Sequence, residues 1–267
     1  MAAKVAADMA LRGGAPLHVA HAWTEVAGVN YLPSPTEAIE TGDEAAAVMD
    51  TELRRACRAG LASVEGHLKR GCPDAVVAAL AESINAGIIV VGSRGNGPLK
   101  RVLLGSVAET LVRSAPCPVL VCRGGALYWP GTHVVAGDDL SDDALRAAIW
   151  AGRLSRALEL PLRLTHVRPP GKARRQLDGL SGARRLLHER AQQVYLATGV
   201  WPIPDVVLGA PASALRDAAY ADGRAGIIVV GRRGHRALSR LVLGRVSMDV
   251  LRAAMGPVMV VPAGSSQ

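Results

Sequence analysis

Apolar residues along the chain fall into two kinds of stretch. Short β-branched runs alternate with longer segments in which Ala, Leu and Val recur at three- and four-residue steps. The first kind reads as strands and the second as helices. In order, the pattern predicts a helix over residues 2–12, ended by Gly13 and Gly14, and a strand over Leu17–Trp23. Residues 24–41, with Pro33 and Pro35, read as a loop. A helix from Asp43 to Gly60 follows, then a weak edge strand over Val64–Lys69. Gly71-Cys-Pro73 opens a helix through Ala86, with Pro73 or Asp74 in its first turn. The strand Ile88–Val91, a glycine loop, a helix over Ser106–Ser114 and the strand Pro118–Cys122 complete the first half.

Residues 124–131 (GGALYWPG) read as a linker, and after them the cycle restarts. A strand over His133–Gly137 runs into Asp138-Asp-Leu-Ser141, whose side chains suit a helix N-cap. A helix over Asp142–Leu158, a strand over Leu162–Val167, a Pro-Gly loop at 169–171, a helix over 180–198 and a strand over Val206–Leu208 come next. Gly209-Ala-Pro211 then repeats Gly71-Cys-Pro73 at an offset of 138, and the chain closes on a helix and the strand within Gly256–Val261. Strand–helix alternation of this kind implies an α/β protein with parallel sheets covered on both faces. Two domains are expected, 1–123 and 132–267. Ligands in such sheets sit beyond the carboxyl ends of the strands, where strand order reverses.

One stretch occurs twice. AGIIVVGSRGNGPLKRVLLGS at 86–106 returns as AGIIVVGRRGHRALSRLVLGR at 225–245, an ungapped offset of 139. Their first ten residues differ only at Ser93 against Arg232. A glycine at a strand end lets a ligand approach the backbone closely, and a following helix N-terminus favours anions. The spacing Gly92-x2-Gly95-x9-Gly105-Ser106 is therefore a candidate phosphate cradle in which the Ser106 hydroxyl adds a hydrogen bond. The same residues also fit a ligand-free capping box, Ser106-x-x-Glu109. The repeat exposes an absence as well. Pro16 and His21 match Pro161 and His166 at an offset of 145, and Asp138 precedes His166 by 28 residues, so its counterpart would fall before Met1. The first half thus lacks an opening strand, which leaves a gap between the strands ending at Trp23 and Val91. The native chain is expected to begin further upstream, or its start to have been assigned late.

Composition narrows the function. There is no Phe and aromatics make up 3%, so the core must be built from Val, Leu, Ile and Ala. The net charge of +8 raises nucleic-acid binding, but dispersed arginines without interleaved aromatics read as solvated helix faces and anion-binding loops. Cys57, Cys72, Cys117 and Cys122 form no metal-type CxxC pair and are expected to be reduced thiols. Apolar runs fall short of a membrane span, and residues 1–16 lack the apolar core of a signal peptide, so a cytoplasmic location is expected. Neither the Walker spacing nor G-x-G-x-x-G occurs, and no HExxH, nucleophile elbow or paired carboxylates accompany the loops. His21 and His166, ending apolar strands, read as satisfied rim histidines. An enzyme is not expected.

G-x2-G-x9-G-[ST] between a strand and a helix, followed by CPVLVCR and GPVMVVP, resembles the universal stress protein family in its tandem, two-repeat form. The resemblance covers nearly the whole chain twice. It implies two doubly wound parallel five-stranded sheets of order 3-2-1-4-5, adenine nucleotide alpha-hydrolase-like. It also implies ATP binding in one subclass, with or without Mg2+, and pairing of domains through their last strands, within the chain or in a homodimer. Carried over, the adenosine contacts fall on Asp138 and Val167. The phosphate contacts fall on Gly92, Gly95, Gly105, Ser106 and Val107 in the first half, and on Gly231, Gly234 and Gly244 in the second. Two departures stand out. Arg245 replaces the motif's Ser or Thr, where it either binds phosphate or fills the pocket, with Ser247 left to cap the helix. The first half lacks the Asp-bearing strand. The function expected is an ATP-binding stress-response module acting through conformational state and partner binding; the alternative is a scaffold of the same fold acting by protein contacts alone.

Overall fold

The computed structural model describes residues 1–23, 42–93, 104–123, 129–169, 173–220, 224–233 and 243–264. The loop expected at 24–41 and most of the 124–131 linker lie outside them. The first repeat contributes α1 (Ala2–Gly13), β1 (Leu17–Trp23), α2 (Gly42–Arg58), β2 (Val64–Arg70), α3 (Pro73–Ser83), β3 (Ile89–Gly92), α4 (Ser106–Ser114) and β4 (Val119–Cys122). The second contributes β5 (Val134–Gly137), α5 (Asp142–Leu158), β6 (Leu162–Arg168), α6 (Ala173–Thr198), β7 (Ile203–Leu208), α7 (Pro211–Ala219), β8 (Ile227–Gly231), α8 (Arg245–Ala253) and β9 (Val258–Val261). Gly14, in the left-handed conformation at φ 59°, ends α1. Among the described residues no helix is long and apolar enough to cross a membrane.

Seven strands form one sheet in the order β3-β4-β9-β8-β5-β6-β7, while β1 and β2 form a separate pair. The second repeat on its own therefore runs β7-β6-β5-β8-β9, a 3-2-1-4-5 order in which every pairing is parallel. The sheet does not stop there. Strands β4 and β9, the last of each repeat, pair antiparallel, with Val119 opposite Val260, Leu120 opposite Met259 and Val121 opposite Val258. The pairing of last strands that the family resemblance implies is thus made within the chain, and it joins all of one repeat to half of the other. The reason lies in composition. VLVC and VMVV are apolar on both faces and buried throughout, so neither can be left as an open edge. Within the first repeat β3 pairs with β4 and β1 with β2, and no described strand stands between β1 and β3.

Period-two alternation splits the seam strands between two cores. Val119, Val121, Val258 and Val260 pack with α3, α4, α7 and α8. Leu120, Cys122, Met259 and Val261 pack with α5 and α6, and with Val5 of α1. Without phenylalanine, close helix–sheet approach is achieved with alanine: Ala147, Ala148 and Ala151 of α5 are wholly buried. A small third cluster of Ala7, Ala10, Leu17 and Ala56 holds β1. All four cysteines are free; Cys57 and Cys72 are exposed, whereas burial pushes the Cys122 thiol up to about 12. Two elements are longer than the sequence pattern implies. The α6 helix begins at Ala173, and β7 begins at Ile203 and accommodates Pro204. Proline is tolerated there because β7 is an edge strand.

Arg232, the single difference within the repeated ten residues, belongs to the seam. Its guanidinium is buried and donates to the Ala115 carbonyl of the other repeat, just past α4. Leu120→Ala, at the middle of the seam, is expected to destabilise the chain by about 2–5 kcal/mol. Denaturant unfolding followed by tryptophan fluorescence should show a lower midpoint in one shared transition. Two transitions, one per repeat, would mean that the seam does not couple the halves.

Candidate functional site

In the second repeat the carboxyl ends of β5, β6 and β8 open into a cavity of about 600 Å³, a size that suits a small organic ligand. Its wall is largely apolar, with Val167, Leu215, Val230 and Leu243 contributing. At one side lies Gly231, the last residue of β8, where a Cβ would come within 3.1 Å of the Arg233 and Asp143 carbonyl oxygens. A side chain there would press against backbone on both sides. Gly244 N-caps α8, and its amide donates to the Arg232 carbonyl at 2.8 Å. The first amides of α8 therefore lack intrahelical acceptors and, at Arg245 and Val246, border the cavity. Such a helix start attracts anions.

Asp138, the residue after β5, forms the opposite side. It is only 3% exposed. Its Oδ1 accepts from the Leu140 amide at 2.6 Å, while its Oδ2 is buried with no hydrogen-bond partner. Burial raises the carboxyl above its usual range, against the lowering effects of the Leu140 amide and of Arg190 and His166. The Thr165 hydroxyl on β6, wholly buried, also lacks a partner and lines the same cavity. His166 donates from Nδ1 to the Asp138 carbonyl at 2.7 Å, which makes it a satisfied rim histidine that fixes the β5 terminus. A buried acceptor and a buried hydroxyl without partners, on a wall that also carries Asp139, Arg233 and Ser247, are groups that a hydroxyl-bearing ligand could satisfy.

The structure decides several alternatives left open by the sequence. Asp138 is not the cap of α5; the Ser141 hydroxyl is, accepting from the Ala144 amide at 3.1 Å. Arg245 does not fill the pocket, for its side chain is 95% exposed and lies 3.7 Å from Asp249. Ser247 does not cap α8 but donates to the Gly231 carbonyl at 2.7 Å, tying the helix to the strand end. In the first repeat Gly92 ends β3 and Gly105 N-caps α4, its amide 2.9 Å from the Ser93 carbonyl. The capping box is not made: α4 has no side-chain cap and Glu109 bonds Arg113 at 2.7 Å. Ser106 is exposed and Val107 half-buried. Gly95 and Gly234 lie outside the described residues. Thus Asp138, Val167, Gly231, Gly244 and Arg245 surround one cavity, while Gly92, Gly105, Ser106 and Val107 belong to a second place. Because β4 and β9 are antiparallel, β3 and β8 run in opposite directions and their glycine loops leave at opposite ends of the strands.

A family model described as the universal stress protein family matches residues 1–123 and again 131–262. The chain belongs to this family. A protein of Staphylococcus aureus (strain USA300) named as a universal stress protein is 44% identical over 69 residues, which make up 26% of this chain and 42% of the relative. The chain thus spans under half the length of such curated relatives. The crystal structure of a universal stress protein from Archaeoglobus fulgidus shares the fold at a TM-score of 0.68 and 20% identity, covering 98% of this chain and 94% of that one. One from Pseudomonas aeruginosa UCBPP-PA14 does so at 0.70 and 19%, covering 97% and 87%.

Asp138 gives a pH signature that the apo protein should show. Below the ordinary carboxyl value of about 3.9 the group is protonated in both folded and unfolded chains and costs nothing. As pH rises from there to the raised folded value, the unfolded chain ionises first and stability is lost; above it the loss is complete. The stability difference between Asp138→Asn and the parent should therefore move in favour of the variant as pH rises above the ordinary carboxyl value, and level off once the buried carboxyl has also ionised. Urea unfolding at several pH values measures it, and a pH-independent difference would refute the burial argument.

Proposed function

We propose that this universal stress protein binds an adenine nucleotide, ATP, in the second-repeat cavity and acts as a stress-response module through conformational state and partner binding. The observation that carries this reading is the unpartnered, buried Oδ2 of Asp138 on the wall of a cavity whose other end is a helix N-terminus. Ribose hydroxyls would donate to the carboxylate. The base would rest against Val167, Leu215 and Val230, and the phosphates, with Mg2+ where present, would reach Gly231, Gly244 and the first amides of α8. The Arg245 guanidinium stands at that end with its charge in solvent, a suitable partner for phosphate oxygens. In the first repeat, Gly92, Gly105, Ser106 and Val107 would form a weaker phosphate-side site.

The groups around the cavity are recognition groups: the carboxylates of Asp138 and Asp139, the hydroxyls of Thr165 and Ser247, backbone amides, and the guanidinium groups of Arg233 and Arg245. They suit binding rather than turnover, and the protein is read as a module that senses a nucleotide and presents a changed surface. A scaffold of the same fold that binds no nucleotide is the rival reading.

Extraction of the purified full chain, followed by absorbance and mass measurement, should release adenine nucleotide, and calorimetry should detect ATP binding. Asp138→Ala is expected to weaken it by roughly ten- to hundred-fold, the loss of a hydrogen bond to a charged group of about 1.5–3 kcal/mol. Arg245→Ala should weaken ATP by less than about fivefold, with the difference vanishing at high salt and adenosine binding unchanged. A parent chain that neither carries nor binds nucleotide leaves the scaffold reading standing.

A further inference from the structure

The two-stranded pair of the first repeat carries a cluster that the nucleotide reading does not use. Residues two apart on a strand share a face, so Glu65 and His67 of β2 point the same way, and register places His18 of β1 directly beside Glu65. His18 Nδ1 lies 2.9 Å from His67 Nε2, and the Glu65 carboxylate oxygens lie 3.6 Å from each of these nitrogens. The three form a ligand triangle. We infer that His18, Glu65 and His67 form a zinc-binding site on the two-stranded sheet, independent of the nucleotide cavity.

The distances fit. Zinc held at about 2.0–2.2 Å from each donor in a tetrahedron has donor-to-donor edges of about 3.3–3.5 Å. The observed edges bracket that range, and a shift of a few tenths of an ångström in the rings, whose centroids are 5.2 Å apart, completes it. The donor set is His2Glu, with a fourth position left for water. Two imidazoles and one carboxylate favour zinc and its neighbours in the first transition row over Mg2+ or Ca2+. Burial is graded as an accessible site requires. The His67 and His18 side chains are 15% and 22% exposed and held by the sheet, whereas Glu65 is 64% exposed and free to close over an incoming ion. The contact between the two histidines shares one proton, with one nitrogen donating and the other accepting. Zinc needs both lone pairs, so that proton moves to the other nitrogen of its own ring.

The second repeat serves as an internal control. By the repeat offsets, the positions of His18, Glu65 and His67 are taken there by Arg163, Ile203 and Asp205, and the strand register is the same. In place of three metal-type donors stands an ion pair, Arg163 to Asp205 at 3.8 Å. The fold therefore accepts other side chains at this place, and the three metal-type donors are particular to the first repeat. Position also gives the site a consequence. A two-stranded sheet is marginal by itself, and β1–β2 is held by a small alanine-rich cluster. An ion bound to both strands would pin their register and stabilise the folded state by mass action.

The test uses the full chain purified without a polyhistidine tag, titrated with ZnCl2 by calorimetry and with Co2+ by visible absorbance. One equivalent should bind, with a four-coordinate Co2+ spectrum and a higher melting temperature. His18→Gln and His67→Gln should each weaken binding by more than about tenfold, since even second-layer partners of a metal are worth that much. Glu65→Gln should weaken it too, and at so exposed a position its failure to bind cannot be ascribed to misfolding. Arg163→Gln should change nothing. Absence of zinc binding by the parent chain would overturn the assignment. So would unchanged binding in the His18→Gln/His67→Gln double variant, which would place the ion on other donors such as the exposed Cys57 and Cys72. ATP binding should be unaffected throughout, so this outcome and that of the nucleotide proposal are read separately.

Discussion

The antiparallel contact between β4 and β9 is the constraint on which the rest depends. Each repeat ends in a strand that is apolar on both faces, and a parallel sheet edge of that kind invites further pairing. Joining the two last strands removes both edges at once and produces the seven-stranded sheet. The consequences reach well beyond the three paired positions. The seam makes the two cores continuous across the repeats, and it fixes the polarity by which the glycine loops leave at opposite ends of the strands. It also explains the one departure within the duplicated ten residues. Arg232 lies at the seam and reaches the other repeat, whereas Ser93 at the matching place is a small buried residue.

Duplication followed by local change has left the two repeats complementary rather than equal. The second has a carboxylate at the β5 terminus, an apolar cavity and an arginine where the family motif carries a hydroxyl. The first keeps that hydroxyl at Ser106 and has no described strand to bring a carboxylate opposite it. A buried, under-bonded Asp138 is costly in its charged form, and a partner brought by a ligand would offset that cost. The same divergence shows on β1–β2, where donors suited to a metal stand in place of an ion pair. In each case the backbone register is common and only the side chains differ.

Much of this was legible in the sequence, because it depended on period and spacing. Strand–helix alternation, the duplicated glycine loop, the place of Asp138 and the gap before β3 all follow from residue pattern and offsets. What escaped depended on neighbours distant in the chain. Pro204 argues against a strand unless β7 is known to be an edge. Asp138 and Ser141 are equally good caps until the backbone shows which side chain meets the Ala144 amide. Thr165 could have been noticed as a hydroxyl in the apolar run LRLTHV, yet only burial without a partner makes it informative. His18 and His67 are unremarkable 49 residues apart, and become a cluster once the parallel register of β1 and β2 is known.

Arg232 shows how the seam and the candidate site are one construction. Its backbone amide donates to Val261 at the end of β9, at 2.7 Å, and its carbonyl accepts from Gly244 at the start of α8. Its side chain crosses to Ala115 at the far end of α4. The residue following Gly231 is thereby held by the last strand, by the helix that borders the cavity and by the other repeat. Ser93 makes the two backbone bonds, to Cys122 at 3.0 Å and from Gly105 at 2.9 Å, but is too short for the third. A loop fixed at its origin loses less conformational freedom when an anion settles on it. By that argument the second repeat, although its motif lacks the hydroxyl, would lose less freedom than the first if an anion bound there, and that difference comes from the contact that joins the repeats.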